Sequence, residues 1–196
     1  MLHFRQKTTF FVTGDDKMKL KFRFWKYTIS LSVEKSRLII GGNGMDEGLH
    51  IEQIANWFLS KESMSHKKLQ KMCYYAYCWN WVLNGNQLFP EKFQAWVHGP
   101  VCPKLYKKYR GNGWKDLPMF EGDVVIPEDV EGVLDEVMFA YGHLNGNQLE
   151  TLTHQEQPWL EARGGVGPLD ASVAVLNDTT IRDYYTKMYE TEMQGD

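Results

Sequence analysis

Few side chains in this sequence are candidates for acid–base, nucleophilic or metal chemistry. Four of them lie close to glycine, proline or tryptophan residues, namely His98, His154, Glu156 and Arg163. A histidine beside a carboxylate is a common acid–base pair, and His98, His154 and Cys102 together offer ligand types that zinc accepts. Their spacing matches no HExxH, paired-cysteine, nucleophile-elbow or phosphate-cradling glycine motif. The sequence therefore predicts a protein that is not an enzyme, with no catalytic residue, no metal site and no cofactor. A hydrolase or metalloprotein centred on the two histidines remains a minor alternative.

Secondary-structure elements must position these side chains. The element that the sequence predicts most clearly is a central helix between Ser65 and Gly85. Ser65 is a good N-cap, and Asn84-Gly85 is typical of a helix end. From Met72 onward apolar residues cover every face of this helix, a pattern typical of a helix that is buried all round. We therefore expect the remaining chain to wrap around it and its aromatic residues to form the core. Its lysines Lys68 and Lys71 are expected to be solvated.

Charge divides the chain into two domains. Residues 1–44 hold nine Lys+Arg against three Asp+Glu, a net charge of +6, whereas residues 45–196 hold thirteen against twenty-two, a net charge of -9. The basic extension has alternating polar and apolar residues and predicts a small antiparallel β-meander. Its candidate partner-binding strand comprises Lys19, Lys21, Phe22, Arg23 and Phe24. Met45 is an alternative start, because Gly41-Gly42 would be encoded by a G-rich stretch where a bacterial ribosome-binding sequence would lie.

Residues 45–196 have mainly helical patterns, so the predicted fold class is mainly α, a compact helical domain around the buried central helix. Pro103 and Pro127 suit the starts of two further helices, and Asp178 suits the N-cap of the last one. Residues 166–177 are predicted to form a loop of small residues. The other predicted pieces are an amphipathic helix over 49–59, two short extended segments around Glu91-Lys92, and two short helices at 148–154 and 158–163.

Several protein classes are disfavoured by the composition. No run of about 18 apolar residues and no secretion signal occurs, so we expect a cytoplasmic protein without a membrane partner. Cys73, Cys78 and Cys102 fit no disulfide framework and are expected to be small buried residues. The two short helices could form a helix-turn-helix, but Arg163 is the only Lys or Arg between Lys115 and Arg182, so DNA is not the expected partner.

Three motifs together resemble the Panacea domain, the antitoxin domain that includes the SocA-like antitoxins of bacteria and their phages. They are Lys68-Leu69-Gln70-Lys71-Met72-Cys73-Tyr74-Tyr75-Ala76, Ala95-Trp96-Val97-His98-Gly99-Pro100-Val101-Cys102-Pro103, and the Thr153-His154 to Pro158-Trp159 to Arg163 segment. Their order and spacing agree with the family over roughly residues 48–190. His98 departs from the aromatic residue often found at its position, and Cys73 and Cys78 replace commoner residue types.

The resemblance implies a cytoplasmic antitoxin, of a bacterial or prophage toxin–antitoxin system, that neutralises a toxin encoded by an adjacent gene through direct protein binding. A protease to which the toxin is delivered is a further partner that the resemblance allows. A DNA-binding autoregulator or phage regulatory protein is the alternative function. The basic extension lies outside the shared domain and is a candidate carrier of toxin specificity.

The motif residues receive two kinds of predicted role. A shared polar network at the domain centre, or a toxin-binding groove beside it, is expected for His98, His154, Glu156, Arg163 and Lys104. A structural role in fixing the corner between helices is expected for the remaining motif residues, namely Leu69, Gln70, Tyr74, Tyr75, Trp96, Gly99, Pro100, Pro158 and Trp159.

Overall fold

The computed structural model describes residues 48–194, so the predicted N-terminal meander and its strand over 19–24 lie outside the described residues. Within that range the fold is mainly α, as predicted. It has seven α-helices: α1 (Ile51–Lys61), α2 (His66–Leu83), α3 (Pro103–Tyr109), α4 (Glu128–Tyr141), α5 (Gly146–Thr153), α6 (Gln157–Arg163) and α7 (Asp178–Gln194). A 3₁₀ turn at Arg110–Asn112 follows α3.

Two small antiparallel sheets complete the described fold. Strand β1 (Met64–Ser65) pairs with β4 (Asp116–Leu117), and β2 (Gln94–Trp96) pairs with β3 (Gly99–Val101) in a tight hairpin. An isolated bridge also pairs Gln94 with Val175, in the segment where a loop was predicted. The sequence missed this bridge because its partner lies about eighty residues away in the chain.

Helix α2 is the centre of the fold, and its predicted ends are confirmed. The Ser65 hydroxyl accepts a hydrogen bond from the Lys68 amide at 3.3 Å, and Gly85 follows the helix with φ of +72°. Every residue from Lys68 to Asn80 is buried. Helix α2 contacts α1, α3, α4, α5, α7 and the β2–β3 hairpin, so the rest of the described chain wraps around it as expected.

Two expectations about polar residues on the helices were wrong. Lys68 and Lys71 are buried, with 7% and 1% of their surface exposed, because each ammonium group reaches a backbone carbonyl of another segment. Asp178 lies inside α7, and the N-cap is Asn177, whose carboxamide oxygen accepts hydrogen bonds from the amides of Thr179 and Thr180. Asp178 instead accepts a hydrogen bond from the Tyr77 hydroxyl at 2.8 Å.

The aromatic and cysteine residues of α2 belong to the core, as predicted. Tyr74, Tyr75 and Trp79 are each at most 1% exposed, and the Tyr75 ring stacks on Tyr141 with 3.8 Å between ring centres. Cys73, Cys78 and Cys102 are buried and unbridged. None of the helices over residues 48–194 has both the length and the apolar composition needed to cross a membrane.

We expect Phe58→Ala to lower the free energy of unfolding by about 3–5 kcal/mol, because Phe58 is fully buried in the core and its truncation leaves a cavity. Phe139→Ala is the matched control, since Phe139 is 80% exposed on α4 and its loss should change stability by less than about 0.5 kcal/mol. Urea unfolding of both variants measures the difference. Equal losses of stability would contradict the burial assigned to α1.

Candidate functional site

The sequence motifs meet at one corner of the fold, defined here as residues 94–101, the β2–β3 hairpin. Helix α2 holds this corner from one side. The Gln70 side chain accepts a hydrogen bond from the Cys102 amide at 2.9 Å and donates one to the Cys102 carbonyl at 3.3 Å. The Lys71 ammonium group donates to the Pro100 carbonyl at 3.1 Å. The first motif therefore fixes the backbone of the second.

Gly99 is the tightest point of the corner. Its φ is +89°, and a Cβ atom at this position would lie 2.6 Å from the Thr153 hydroxyl oxygen and 2.7 Å from the Lys71 side-chain carbon Cε. Side chains other than glycine rarely adopt this backbone conformation, and contacts this short require neighbouring atoms to move. Glycine at position 99 lets α2, α5 and the hairpin approach one another closely.

Helices α5 and α6 hold the corner from the other side through Trp159. Its indole N–H donates to the Trp96 carbonyl at 3.0 Å, and its ring stacks on His154 with 4.1 Å between ring centres. The Arg163 guanidinium lies 5.1 Å from the centre of the same ring. Pro158 is buried in the first turn of α6, where a missing backbone N–H costs nothing. The third motif therefore braces β2 as the first motif braces β3.

Arg163 is buried, with 4% of its surface exposed, and its guanidinium joins β2 to the loop that follows α6. It donates to the carbonyls of Ala95 at 3.1 Å, Asp170 at 2.8 Å and Gly167. Three carbonyl acceptors satisfy a charge that would otherwise be costly to bury. This arginine is therefore unavailable for surface contacts with phosphate groups.

Glu156 is a buried carboxyl group held by two tyrosines. The Tyr75 hydroxyl donates to it at 2.9 Å and the Tyr185 hydroxyl at 2.8 Å. Burial raises the pKa of Glu156 to about 7, although these hydrogen bonds act in the opposite direction. Burial also lowers the pKa of Lys71 to about 7, against the attraction of Glu150 and Glu156. Both groups therefore change charge near neutral pH.

The outer surface of the corner carries an aromatic patch, defined as His66, Trp96, His98, Tyr106 and Trp114. Trp114 is 74% exposed, and its ring centre lies 6.3 Å from His98 and 6.5 Å from His66. Tyr106 joins the patch to Trp96 with 4.8 Å between ring centres. Burial and the nearby Lys71 charge lower the pKa of His66.

The structure divides the five predicted polar residues among separate hydrogen-bonded groups. His98 pairs with Glu150 at 3.1 Å at the surface, while Glu156 and Arg163 have the buried partners given above. Lys104 lies apart on α3 and pairs with Glu91 at 2.7 Å. The corner thus brings His154 and Arg163 together on the Trp159 ring, whereas Lys104 belongs to another surface.

Two residues of the site were missed by the sequence argument. Glu150 pairs with both Lys67 and His98, and its pKa is lowered by these partners although burial acts to raise it. Glu91 links Lys104 to the start of α1 by accepting from the Ile51 amide at 3.2 Å. Neither glutamate lies in a recognisable motif, so the sequence alone gives no indication of their role. Their partners become neighbours only in the folded chain.

The buried polar side chains of the corner contact backbone carbonyls and tyrosine hydroxyls, which are structural partners. Across residues 48–194, no group of three or more His, Cys, Asp and Glu side chains is placed to hold a metal ion. The exposed features at the corner are the aromatic patch and the loop after α6.

Comparison with known proteins agrees with the motifs. Residues 69–160 match the family model described as "Antitoxin SocA-like, Panacea domain". The chain is similar to Antitoxin SocA of Caulobacter vibrioides (strain NA1000 / CB15N), with 28% identity over 150 residues that cover 67% of this chain and 80% of that protein. No solved structure matches the chain significantly. The region matched by the family model runs from α2 to α6 and contains the corner.

We expect Gly99→Ala to destabilise the protein by about 3 kcal/mol or more, because it adds a steric clash to an unfavourable backbone conformation. Gly85→Ala is the control, since Gly85 has a similar φ of +72° but open space around it, and should cost about 1–2 kcal/mol. Thermal or urea unfolding gives both values. Equal effects at the two positions would show that the contact with Lys71 and Thr153 is unimportant.

The pKa of the Glu156 carboxyl is about 7 in the folded chain and 4.5 in the unfolded chain. We therefore expect protonated Glu156 to contribute stability that is fully present below pH 4.5 and is lost as the pH rises through about 7. Glu156→Gln mimics the neutral acid. Relative to the unsubstituted protein, it should therefore gain about 2 kcal/mol of stability between pH 5 and pH 7.

Urea unfolding across this pH range tests the effect, and Glu161→Gln on the exposed face of α6 is the control. Parallel stability curves for Glu156→Gln and the unsubstituted protein would contradict a raised Glu156 pKa. Lys71 contributes an opposite trend at higher pH, between about 7 and its ordinary 10.5, so the comparison stops at pH 7.

Proposed function

We propose that this chain, whose residues 69–160 match the family model of the SocA-like Panacea domain, neutralises a cognate toxin by binding it directly. The observation that carries the proposal is the family match over residues 69–160, which includes the braced corner. The toxin is proposed to be encoded by an adjacent gene of a bacterial or prophage genome, and the complex to form in the cytoplasm.

The surface of the domain supports a binding role. Trp114 is 74% exposed beside two histidines, and an exposed tryptophan is the residue type most enriched at the energetic centres of protein interfaces. The net charge of -9 over residues 45–196 favours a basic partner. A non-enzymatic mode fits these features, since binding requires surface complementarity and no reactive group.

The DNA-binding alternative is weakened by Arg163. This arginine is the only Lys or Arg in the predicted recognition segment, and its guanidinium is buried against three carbonyls. Of the three lysines of α3, Lys107 is exposed, whereas Lys104 and Lys108 both lie within ion-pair distance of Glu52. A duplex reader needs free cations for phosphate contacts, so these placements favour a protein partner.

We expect co-expression with the product of the adjacent open reading frame to restore growth of a host that this product alone inhibits. The two proteins should co-purify in a stoichiometric complex. The full chain and a form starting at Met45 are compared, because rescue by both would place the interface in residues 45–196. Rescue by the full chain alone would assign specificity to the basic extension.

A host lacking its major cytoplasmic proteases serves as the control for the mode of neutralisation. Unchanged rescue in that host, with undiminished toxin levels, is the result expected for direct inhibition. Rescue that disappears there would instead indicate delivery of the toxin to a protease. A neighbouring product that is toxic but is neither bound nor relieved would refute the proposal.

A further inference from the structure

Residues 174–176 lie antiparallel beside β2 and pair with it through the isolated bridge between Gln94 and Val175. The Ala95 amide donates to the Ala174 carbonyl at 2.8 Å, and the Leu176 amide donates to the Phe93 carbonyl at 2.9 Å. Successive residues of an antiparallel strand direct their hydrogen-bonding groups to opposite sides. The backbone groups of Val175 therefore point away from β2. Neither these groups nor those of Val173 bond to another residue within 48–194, and the Ala174 amide donates to the Ser172 hydroxyl at 3.2 Å.

This outward side, defined here as the valine edge (Val173 and Val175), is apolar as well as unpaired. The two side chains are 70% and 54% exposed, and Leu169 just before them is 85% exposed. Natural proteins usually protect a free strand edge with charges, prolines or a covering element. The sequence Ala171-Ser172-Val173-Ala174-Val175-Leu176 contains neither a charged residue nor a proline. The valine edge thus has the features of a template for another strand.

The valine edge is also held rigidly. Arg163 binds the carbonyls of Gly167 and Asp170 on the loop leading to it, and the carbonyl of Ala95 on the strand behind it. A strand that is already in place loses little conformational entropy when a partner binds. Arg163 is therefore a positioning residue for this surface, although its own side chain is buried.

Charge selects among the strands that could bind here. The charged groups near the valine edge are the exposed carboxylates of Glu161 and Asp170, the buried Arg163, and the Lys92–Asp178 ion pair, which flanks the hydrogen bond between Phe93 and Leu176. Because Lys92 and Asp178 pair with each other, the remaining exposed charge is negative. An added strand would therefore place basic or neutral side chains near these carboxylates. Its apolar side chains would alternate with them and cover the two valines and Leu169.

We propose that the valine edge binds an extended segment of the toxin, which pairs with residues 173–175 on the side that faces away from β2. The segment has apolar residues at alternate positions and basic or neutral residues between them. This inference rests on the proposed antitoxin function. It specifies recognition through backbone hydrogen bonds, with side-chain contacts to Val173, Val175 and Leu169 adding selectivity.

Val175→Pro tests the proposal because it removes an outward N–H that the described fold does not use, while the two hydrogen bonds to β2 come from neighbouring residues. Val175→Thr is the matched control, since it keeps the N–H and the branched shape. The probe is the purified product of the adjacent open reading frame, with its Kd for each full-length variant measured by calorimetry. We expect about a tenfold or greater loss of affinity for proline and less than a threefold change for threonine.

Amide hydrogen exchange of the unsubstituted full chain gives a readout that does not depend on the stability of the proline variant. The Val173 and Val175 amides should exchange rapidly in the free protein and become protected when the probe is bound. Unchanged exchange at these amides in a formed complex would overturn the proposal. A folded Val175→Pro variant with unchanged affinity would also overturn the proposal. If Trp114→Ala then abolishes binding, the interface is assigned to the aromatic patch.

The remaining outcomes identify other occupants and also overturn the proposal. Protection in the free full chain that disappears in the form starting at Met45 would assign the valine edge to the basic extension. Protection that rises with protein concentration would assign it to a second copy. If the unsubstituted chain binds no adjacent gene product and relieves no toxicity, the proposed function itself fails. Binding without involvement of the valine edge removes only this inference.

Discussion

The close approach of Gly99 to Lys71 and Thr153 is the constraint on which the corner depends. Because position 99 has no Cβ, the hairpin backbone comes near enough for the Lys71 ammonium group to reach the Pro100 carbonyl at 3.1 Å. This contact satisfies a buried charge and fixes β3 against α2 at the same time. Thr153 is the last residue of α5, so the same close approach places the end of α5 against the hairpin.

Buried ionisable side chains at the corner are bonded mainly to neutral groups. Lys71 donates to a carbonyl, Arg163 donates to three carbonyls, and Glu156 accepts from two tyrosine hydroxyls. Dipoles supplied by a rigid backbone do not need to be desolvated as a second ion would, which lowers the cost of burial. Each charge also joins segments that are distant in sequence. The charged motif residues therefore have a structural meaning that does not require a ligand.

Local sequence signals predicted most of the fold and little of the site. Ser65, Asn84-Gly85, Pro103 and Pro127 gave the approximate helix ends because caps and prolines act within a few residues. Lys68 and Lys71 were misjudged as solvated because their acceptors, Gly142 and Pro100, lie 74 and 29 residues away. The bridge at Val175 was missed for the same reason, since its partner Gln94 is distant in the sequence.

The proposed recognition through a strand edge would separate affinity from specificity in a way that suits the proposed toxin-binding role. The hydrogen bonds of an added strand are made by backbone groups that every toxin possesses, so the braced corner and Arg163 can serve the same purpose against different partners. Selectivity must then come from side chains beside the edge. In this chain those are Val173, Val175 and Leu169, and they lie in or just before the strand that Arg163 positions, outside the residues matched by the family model. Under this proposal, substitutions in this loop would change the partner while the three motifs continue to hold the fold.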